Sequence, residues 1–190
     1  MIRKTKETEI EINLEIEGKG KSKIDTKINF LNHMLELFTK HGAFNLEIKA
    51  KGDLEVDQHH LVEDIGITLG QAFDQALGDK KGINRAGFFA MPMDEALAIL
   101  AIDIGGRPYL KFEAKFKENK IGDLDSELIH DFFEAFSNNL KCNIHVRSFE
   151  GRTDHHKAEA LFKAFGRALK MACSKDKKLK DAIPSTKGLI

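Results

Sequence analysis

The sequence predicts an α+β fold in which a βαβα-type half is duplicated, giving two sheets with two helices each. Three observations lead there. Stretches with apolar residues at every second position are interspersed with stretches whose apolar residues recur every three or four, so strands alternate with helices. The order strand, helix, strand, long helix occurs twice. The second occurrence also lies on the first residue by residue. HHLVEDIGITLGQAFDQA (59–76) aligns without gaps on HHKAEALFKAFGRALKMA (155–172), which pairs Glu63 with Glu159 and Gly70 with Gly166. Upstream, NLEIKAKG (45–52) matches NIHVRSFE (143–150), and the loop that follows is shorter in the second copy. The repeats are expected at 1–92 and 93–190, packed as one body, with a C-terminal tail over 174–190.

TEIEINLEI (8–16) alternates apolar and polar residues, the signature of a half-buried strand. A weaker strand, 23–27, follows the Gly18/Gly20 turn. Phe30, Leu31, Met34, Leu35, Leu37 and Phe38 recur at helical spacing, and Gly42 closes that helix. Residues 44–49 form a strand. Residues 61–77 form a long helix through Ile65, Leu69, Phe73 and Leu77, ended by Gly78. In the second repeat, 96–104 and 109–116 read as strands joined by the Gly105-Gly106-Arg107-Pro108 turn. A helix is expected over 124–140, a strand over 142–147 and a second long helix over 158–173.

The chain has 190 residues, with 30 Lys plus Arg balancing 30 Asp plus Glu. Zero net charge excludes a strong non-specific grip on nucleic acid or anionic membrane. No run approaches the roughly 20 apolar residues of a membrane span, and no signal-peptide core opens the chain. Cys142 and Cys173 lack metal-site spacing and suit a reducing compartment. A cytoplasmic protein is therefore expected. Fourteen Phe against no Trp and one Tyr predict a core of phenylalanine.

Four of the eight histidines fall in two copies of His-His-x-x-Glu: His59, His60, Glu63 and His155, His156, Glu159. Each copy opens a long helix, where residues three or four apart share a face. Adjacent residues point about 100° apart, so neighbouring histidines are poorly placed to share an ion. Two ions, each taking a histidine from each repeat and one glutamate, solve that geometry. Imidazole and carboxylate without thiolate favour Mn, Fe, Zn or Ni. His33, on the first helix, is a further candidate ligand. The repeat offset maps position 33 onto Asp131, beside His130; Asp131, His130 or the strand residue His145 completes the second site. His41 fits the helix end, where a cation or polar cap suits the dipole.

LNHMLELFTKHGAFNLEIKAKGDLEVDQHHLVED, GGRPYL, TDHHKAEALFKAFGRAL and the terminal PSTKG together closely resemble the imidazoleglycerol-phosphate dehydratases of histidine biosynthesis, over nearly the whole chain. The resemblance implies a ribosomal protein S5 domain 2-like fold. It implies two Mn2+ per active site, or other divalent transition ions, and a homo-oligomer, an octahedral 24-mer built from trimers with active sites between subunits. Ligands by resemblance are His33, His59, His60, Glu63, His155, His156 and Glu159, with Asp131 at the position expected to be histidine. Substrate contacts by resemblance are Arg85, Arg107, Lys163, Ser185, Thr186 and Lys187, several through phosphate. His33, His59, Glu63 and His155 lie around the same substrate, and Glu7 reaches in from a neighbouring subunit. Phosphate suits Arg forks, a Lys charge and hydroxyl donors.

The implied reaction removes water from imidazole-glycerol phosphate to give imidazole-acetol phosphate. No carbonyl flanks the carbon that loses its proton, so the azole ring must hold the charge. The expected route is metal-bound imidazolate, with one ion on each ring nitrogen, which expels the side-chain hydroxyl. Glu7, Glu63, Glu159 and Asp94 are the candidate proton carriers. The alternative from the same donors is a dinuclear metal phosphoester hydrolase. A non-enzymatic alternative is a shell with ions as glue.

Overall fold

The computed structural model describes residues 1–180 and 182–190. The first half runs β1 (Ile2–Lys4), β2 (Thr8–Glu15), β3 (Lys21–Asp25), α1 (Asn29–Gly42), β4 (Asn45–Gly52) and α2 (His59–Leu77). The second runs β5 (Ala86–Met93), β6 (Ala96–Asp103), β7 (Tyr109–Glu113), the short β8 (Lys120–Ile121) and β9 (Leu124–Asp125), α3 (Leu128–Leu140), β10 (Asn143–Glu150) and α4 (Asp154–Cys173). The sheets have matching orders, β1-β2-β4-β3 and β5-β6-β10-β7. In each, only the last pair is parallel, β3 with β4 and β7 with β10. The duplication is thus present strand for strand. Sheet membership changes between Leu77 and Ala86, ahead of the 92/93 division.

Alternation dictates the layering. Ile10, Ile12, Leu46 and Ile48 line the buried face of the first sheet, and Ala98, Leu100, Ile144 and Val146 that of the second. Helices α1 and α2 cover the first face, α3 and α4 the second. The helices then meet in the middle, α1 against α4 and α2 against α3. One phenylalanine from each helix fills the centre: Phe38, Phe73, Phe136 and Phe165. The Phe38 and Phe165 rings stack at 4.7 Å, and Phe136 meets Phe165 edge-on at 4.9 Å. Such aromatic pairs contribute about 0.5–1.5 kcal/mol beyond their buried area.

Four features depart from the sequence expectations. Strands β1 and β5 were not anticipated: β1 has three residues, and β5 (AGFFAMPM) is apolar on both faces, so it lacks alternation. Pro92 is tolerated there because β5 is an edge strand. Strands β6 and β7 are not neighbours, since β10 pairs with both. Residues 124–125 belong to β9 rather than to α3, which starts at Leu128. Finally, α4 starts at Asp154, with the Thr153 hydroxyl accepting the His156 N–H at 3.2 Å.

The β8–β9 hairpin lies in an insertion, residues 114–127, that replaces the short 26–28 connection of the first half. It spans both halves. Asp123 accepts the N–H groups of Asn29 and Phe30, each at 2.7 Å, and so caps α1, whose own Ile28 offers no capping side chain. Gln58 and Asp154, aligned residues just ahead of the histidine pairs, hold its two sides. Gln58 donates to the Asp123 carbonyl at 2.6 Å and accepts from the Asp125 N–H. Asp154 accepts from the N–H groups of Lys117 and Glu118 at 2.6 and 2.8 Å and pairs with the buried Lys157 ammonium at 2.8 Å.

Burial alone would push the Asp154 carboxyl up, but the Lys157 ammonium and the two N–H groups outweigh it and hold it below the ordinary range. The stabilisation from this group is therefore complete above the usual aspartate value near 3.9 and is lost as pH falls through the depressed folded value. Asp154→Asn, which strands a buried ammonium, is expected to lower stability on the order of 3 kcal/mol at neutral pH. In urea titrations its deficit against the parent should shrink progressively at acid pH. A deficit independent of pH would refute this account.

The chain segment between the halves is laced to the tail. Gly82 N–H donates to the Ala182 carbonyl, Asn84 N–H to Ser174 and Arg85 N–H to Ala172, each at 2.9 Å. Among the described residues no helix is long and apolar enough to cross a membrane.

Candidate metal centre and active site

The histidine pairs open α2 and α4, so the 100° step between adjacent helical residues separates their rings. His59 and His60 have centroids 6.2 Å apart with planes at 76°; for His155 and His156 the values are 6.0 Å and 88°. The first histidine of each pair faces the helix from the other half. His155 Nε2 and His33 Nε2, the latter on α1, both meet Glu159 Oε1, at 3.0 and 3.1 Å. In the related place His59 Nδ1 lies 3.4 Å from Asp131 Oδ2, on α3, and His59 Nε2 lies 3.9 Å from Glu63. The second histidines, His60 and His156, turn away into separate groups with Asp53 and Glu7, and with Glu95 and Asp94.

The two related groups differ in tightness. Glu159 is nearly buried, and its Oε2 takes the Lys163 ammonium at 2.5 Å; the same ammonium lies 3.0 Å from Met93 Sδ. Burial would push Glu159 up, but Lys163, His33 and His155 outweigh it and bring the carboxyl to about 2. Glu63 is about half exposed and has Ile67 where Glu159 has Lys163. Phe30 packs edge-on against His155 at 5.2 Å and closes the apolar side of the first group.

The donor chemistry fits a divalent transition ion. His33, His155 and Glu159 each offer one ligand atom, all within 4.8 Å of one another. Two imidazoles and one carboxylate match borderline or hard ions such as Mn, Fe or Zn. Of the three residues considered for the other group, Asp131 faces His59. His130 touches Asp131 at 3.2 Å and packs against Phe112. His145 lies on β10 beside Tyr109, and the His59 contact goes to Asp131 instead. His41 sits in the last turn of α1 as expected, where burial and the Arg167 and Lys163 charges push it below its ordinary value.

The expected phosphate contacts fall in two places. Arg85 holds Asp103 through Nε at 2.6 Å and Nη2 at 2.9 Å, and its Nη1 donates to the Pro184 carbonyl at 2.9 Å. This draws the PSTKG tail to the Gly105–Arg107 turn, where Ile190 packs against Gly106. Ser185, Thr186 and Lys187 form a tight turn closed by Gly188 N–H to the Ser185 carbonyl at 3.0 Å. Lys163 stands apart, on Glu159. Glu7 lies ahead of β2, 3.9 Å from His60 of its own chain. Asp94, at the tip of the β5–β6 hairpin, lies 3.9 Å from His156 Nε2.

Asp53 and Glu95 were not among the residues expected from sequence. His60 Nδ1 lies 3.1 Å from Asp53, and His156 Nδ1 lies 2.7 Å from Glu95. Hydrogen bonding to Asp53 raises His60 above its ordinary value. The contact with His156, helped by backbone N–H groups, brings Glu95 to about 2. A signal for Glu95 existed: β2 begins at Thr8 and β6 at Ala96, so Glu95 holds the place of Glu7. No such signal marks Asp53, whose aligned residue is Gly151.

A duplicated two-sheet body with imidazole–carboxylate groups at its paired helix starts has the donor set of a candidate metal site, and known enzymes share its fold. The family model described as imidazoleglycerol-phosphate dehydratase matches residues 26–169. The imidazoleglycerol-phosphate dehydratase of Koribacter versatilis is 56% identical over 188 residues, covering 99% of this chain and 96% of the relative. The crystal structure of the Pyrococcus furiosus dehydratase superposes with a TM-score of 0.87 at 35% identity, covering 100% of both chains. That of Staphylococcus aureus superposes with a TM-score of 0.82 at 41% identity, covering 93% of this chain and 98% of the other. The chain belongs to the imidazoleglycerol-phosphate dehydratase family, a family of carbon–oxygen hydro-lyases.

Proposed function

We propose that this chain dehydrates imidazole-glycerol phosphate to imidazole-acetol phosphate, a step of histidine biosynthesis, using two divalent ions per site with Mn2+ preferred. The active sites lie between copies of the chain in a homo-oligomer, an octahedral 24-mer built from trimers. The observation that carries the reading is the divergence of the paired histidines. His33, His155 and Glu159 gather on one side of the α4 start while His156 faces another, so a full ligand set around each ion draws on a second copy.

When bound, the ions supply Lewis acidity that draws charge out of an azole ring. The remaining work belongs to side chains. Arg85, Arg107, Ser185, Thr186 and Lys187 bind the phosphate and fix the distance from phosphate to ring. Lys163 keeps Glu159 an anion, which suits a ligand better than a proton carrier. Glu7 is exposed and free to take the side-chain proton and return one to the departing hydroxyl. His33, His59, Glu63, Asp131 and His155 surround the ring, with Asp94 near the His156 edge.

The test is product analysis on the full chain before and after exhaustive chelation. Manganese-loaded protein is expected to yield a ketone with its phosphate retained, chelated protein none, and added Mn2+ to restore turnover. Release of free phosphate would replace this reading by a dinuclear hydrolase. Full activity after chelation would remove the metal from it.

A further inference from the structure

His60 and His156 are each gripped at Nδ1 by a carboxylate, Asp53 at 3.1 Å and Glu95 at 2.7 Å. A carboxylate accepts only, so Nδ1 carries the proton of the neutral ring, and in that form the lone pair falls on Nε2. The other nearby carboxylates do not compete: Glu7 lies 3.9 Å from His60 Nδ1 and Asp94 3.9 Å from His156 Nε2, beyond hydrogen-bond length.

We infer that Asp53 and Glu95 are positioning residues, which fix His60 and His156 in the Nδ1–H tautomer and aim Nε2 outward as a metal donor. The inference rests on the reading above that both histidines are ligands. Its weight comes from how the two halves arrive at it. Asp53 follows β4, and its aligned partner is Gly151; Glu95 lies between β5 and β6, and its partner is Glu7. Duplication alone would have left matching carboxylates, yet the same contact is built from different strands.

A purely structural role does not account for both. Glu95 also accepts the N–H groups of Arg152 and Thr153, each at 3.0 Å, at the start of α4. Asp53 accepts no such pair; its own N–H donates to the Glu7 carbonyl at 3.1 Å. What the two share is the imidazole. For Glu95 these N–H groups also fix the carboxylate, so the His156 ring and the α4 start turn as one piece; for Asp53 the backbone bond to Glu7 ties the end of β4 to the start of β2. Carboxylate–histidine pairs of this kind orient the ring and raise its basicity as a ligand.

The experiment measures manganese affinity of the full chain by competition with a chelating dye, for Asp53→Asn and Glu95→Gln beside His60→Ala and His156→Ala. Each carboxylate variant is expected to bind Mn2+ about 10- to 100-fold more weakly than the parent. Thermal unfolding with excess chelator should be unchanged for Asp53→Asn, which caps nothing; this keeps the test valid if Glu95→Gln folds poorly. Unchanged affinity in Asp53→Asn, with affinity lost in His60→Ala, would overturn the inference. Unchanged affinity in both alanine variants would instead overturn the ligand assignment on which it rests.

Discussion

Glu159→Gln is expected to lower turnover by about a thousandfold or more, since the several kcal/mol supplied by a bound ion convert at about tenfold per 1.4 kcal/mol. The two oxygens of Glu159 face different partners, Oε1 toward His33 and His155 and Oε2 toward Lys163. An amide has one acceptor and one donor end. With its oxygen on the imidazole side, its NH2 meets an ammonium; turned round, it presents N–H groups where an ion would sit. Metal analysis after gel filtration should show one ion of each pair lost, and unfolding in chelator should show reduced stability, because Lys163 loses its counter-charge. Glu63→Gln should also lose an ion yet keep the parent's stability, because Ile67 replaces the lysine there. Full metal content and turnover in Glu159→Gln would leave this carboxylate as nothing more than a partner for Lys163.

Gly166→Val is expected to prevent folding. Helix α4 passes so close to α1 that a Cβ at position 166 would lie 2.4 Å from the Phe38 carbonyl oxygen and 2.8 Å from the Gly42 nitrogen. Both are backbone atoms and cannot rotate aside. The helices would have to separate, which opens the ring contacts between Phe38 and Phe165. Overpacking against movable side chains costs about 1–3 kcal/mol; a clash between backbones falls in the exceptional range above about 4 kcal/mol. Gly70 plays the same part where α2 crosses α3, with the Phe136 carbonyl oxygen 2.8 Å from the built Cβ. Soluble yield and urea midpoints are the measurements. A Gly166→Val chain with the parent's midpoint would mean that the helices stand farther apart in solution.

The glycine pair is legible in the sequence, because Gly70 and Gly166 fall in register in the repeat alignment. So is the divergence of neighbouring histidines, which follows from the helical step alone. Both depend on local periodicity. What sequence did not reveal depends on register between distant strands. Strand β5 carries Phe88, Ala90 and Pro92 outward beside Phe89 and Met91 inward, and nothing in that string distinguishes its faces. The slot that β10 takes between β6 and β7 follows from long-range pairing, as do the contacts of Asp53 and Glu95. The tail was recognisable by its PSTKG string, but its attachment through Arg85 to Asp103 joins residues 99 apart in one case and 18 in the other.

The reciprocal crossing of the helices, α1 on α4 and α2 on α3, has an ancestral meaning. A solitary half already carries both mating surfaces of the bundle, so two identical copies would close on each other about a twofold axis into this same body. Fusion then frees each position from serving twice. Lysine at 163 opposite isoleucine at 67 shows that freedom in use: one centre acquired a firmly held anion and the other stayed open. A symmetric dimer could not have made its two centres unequal.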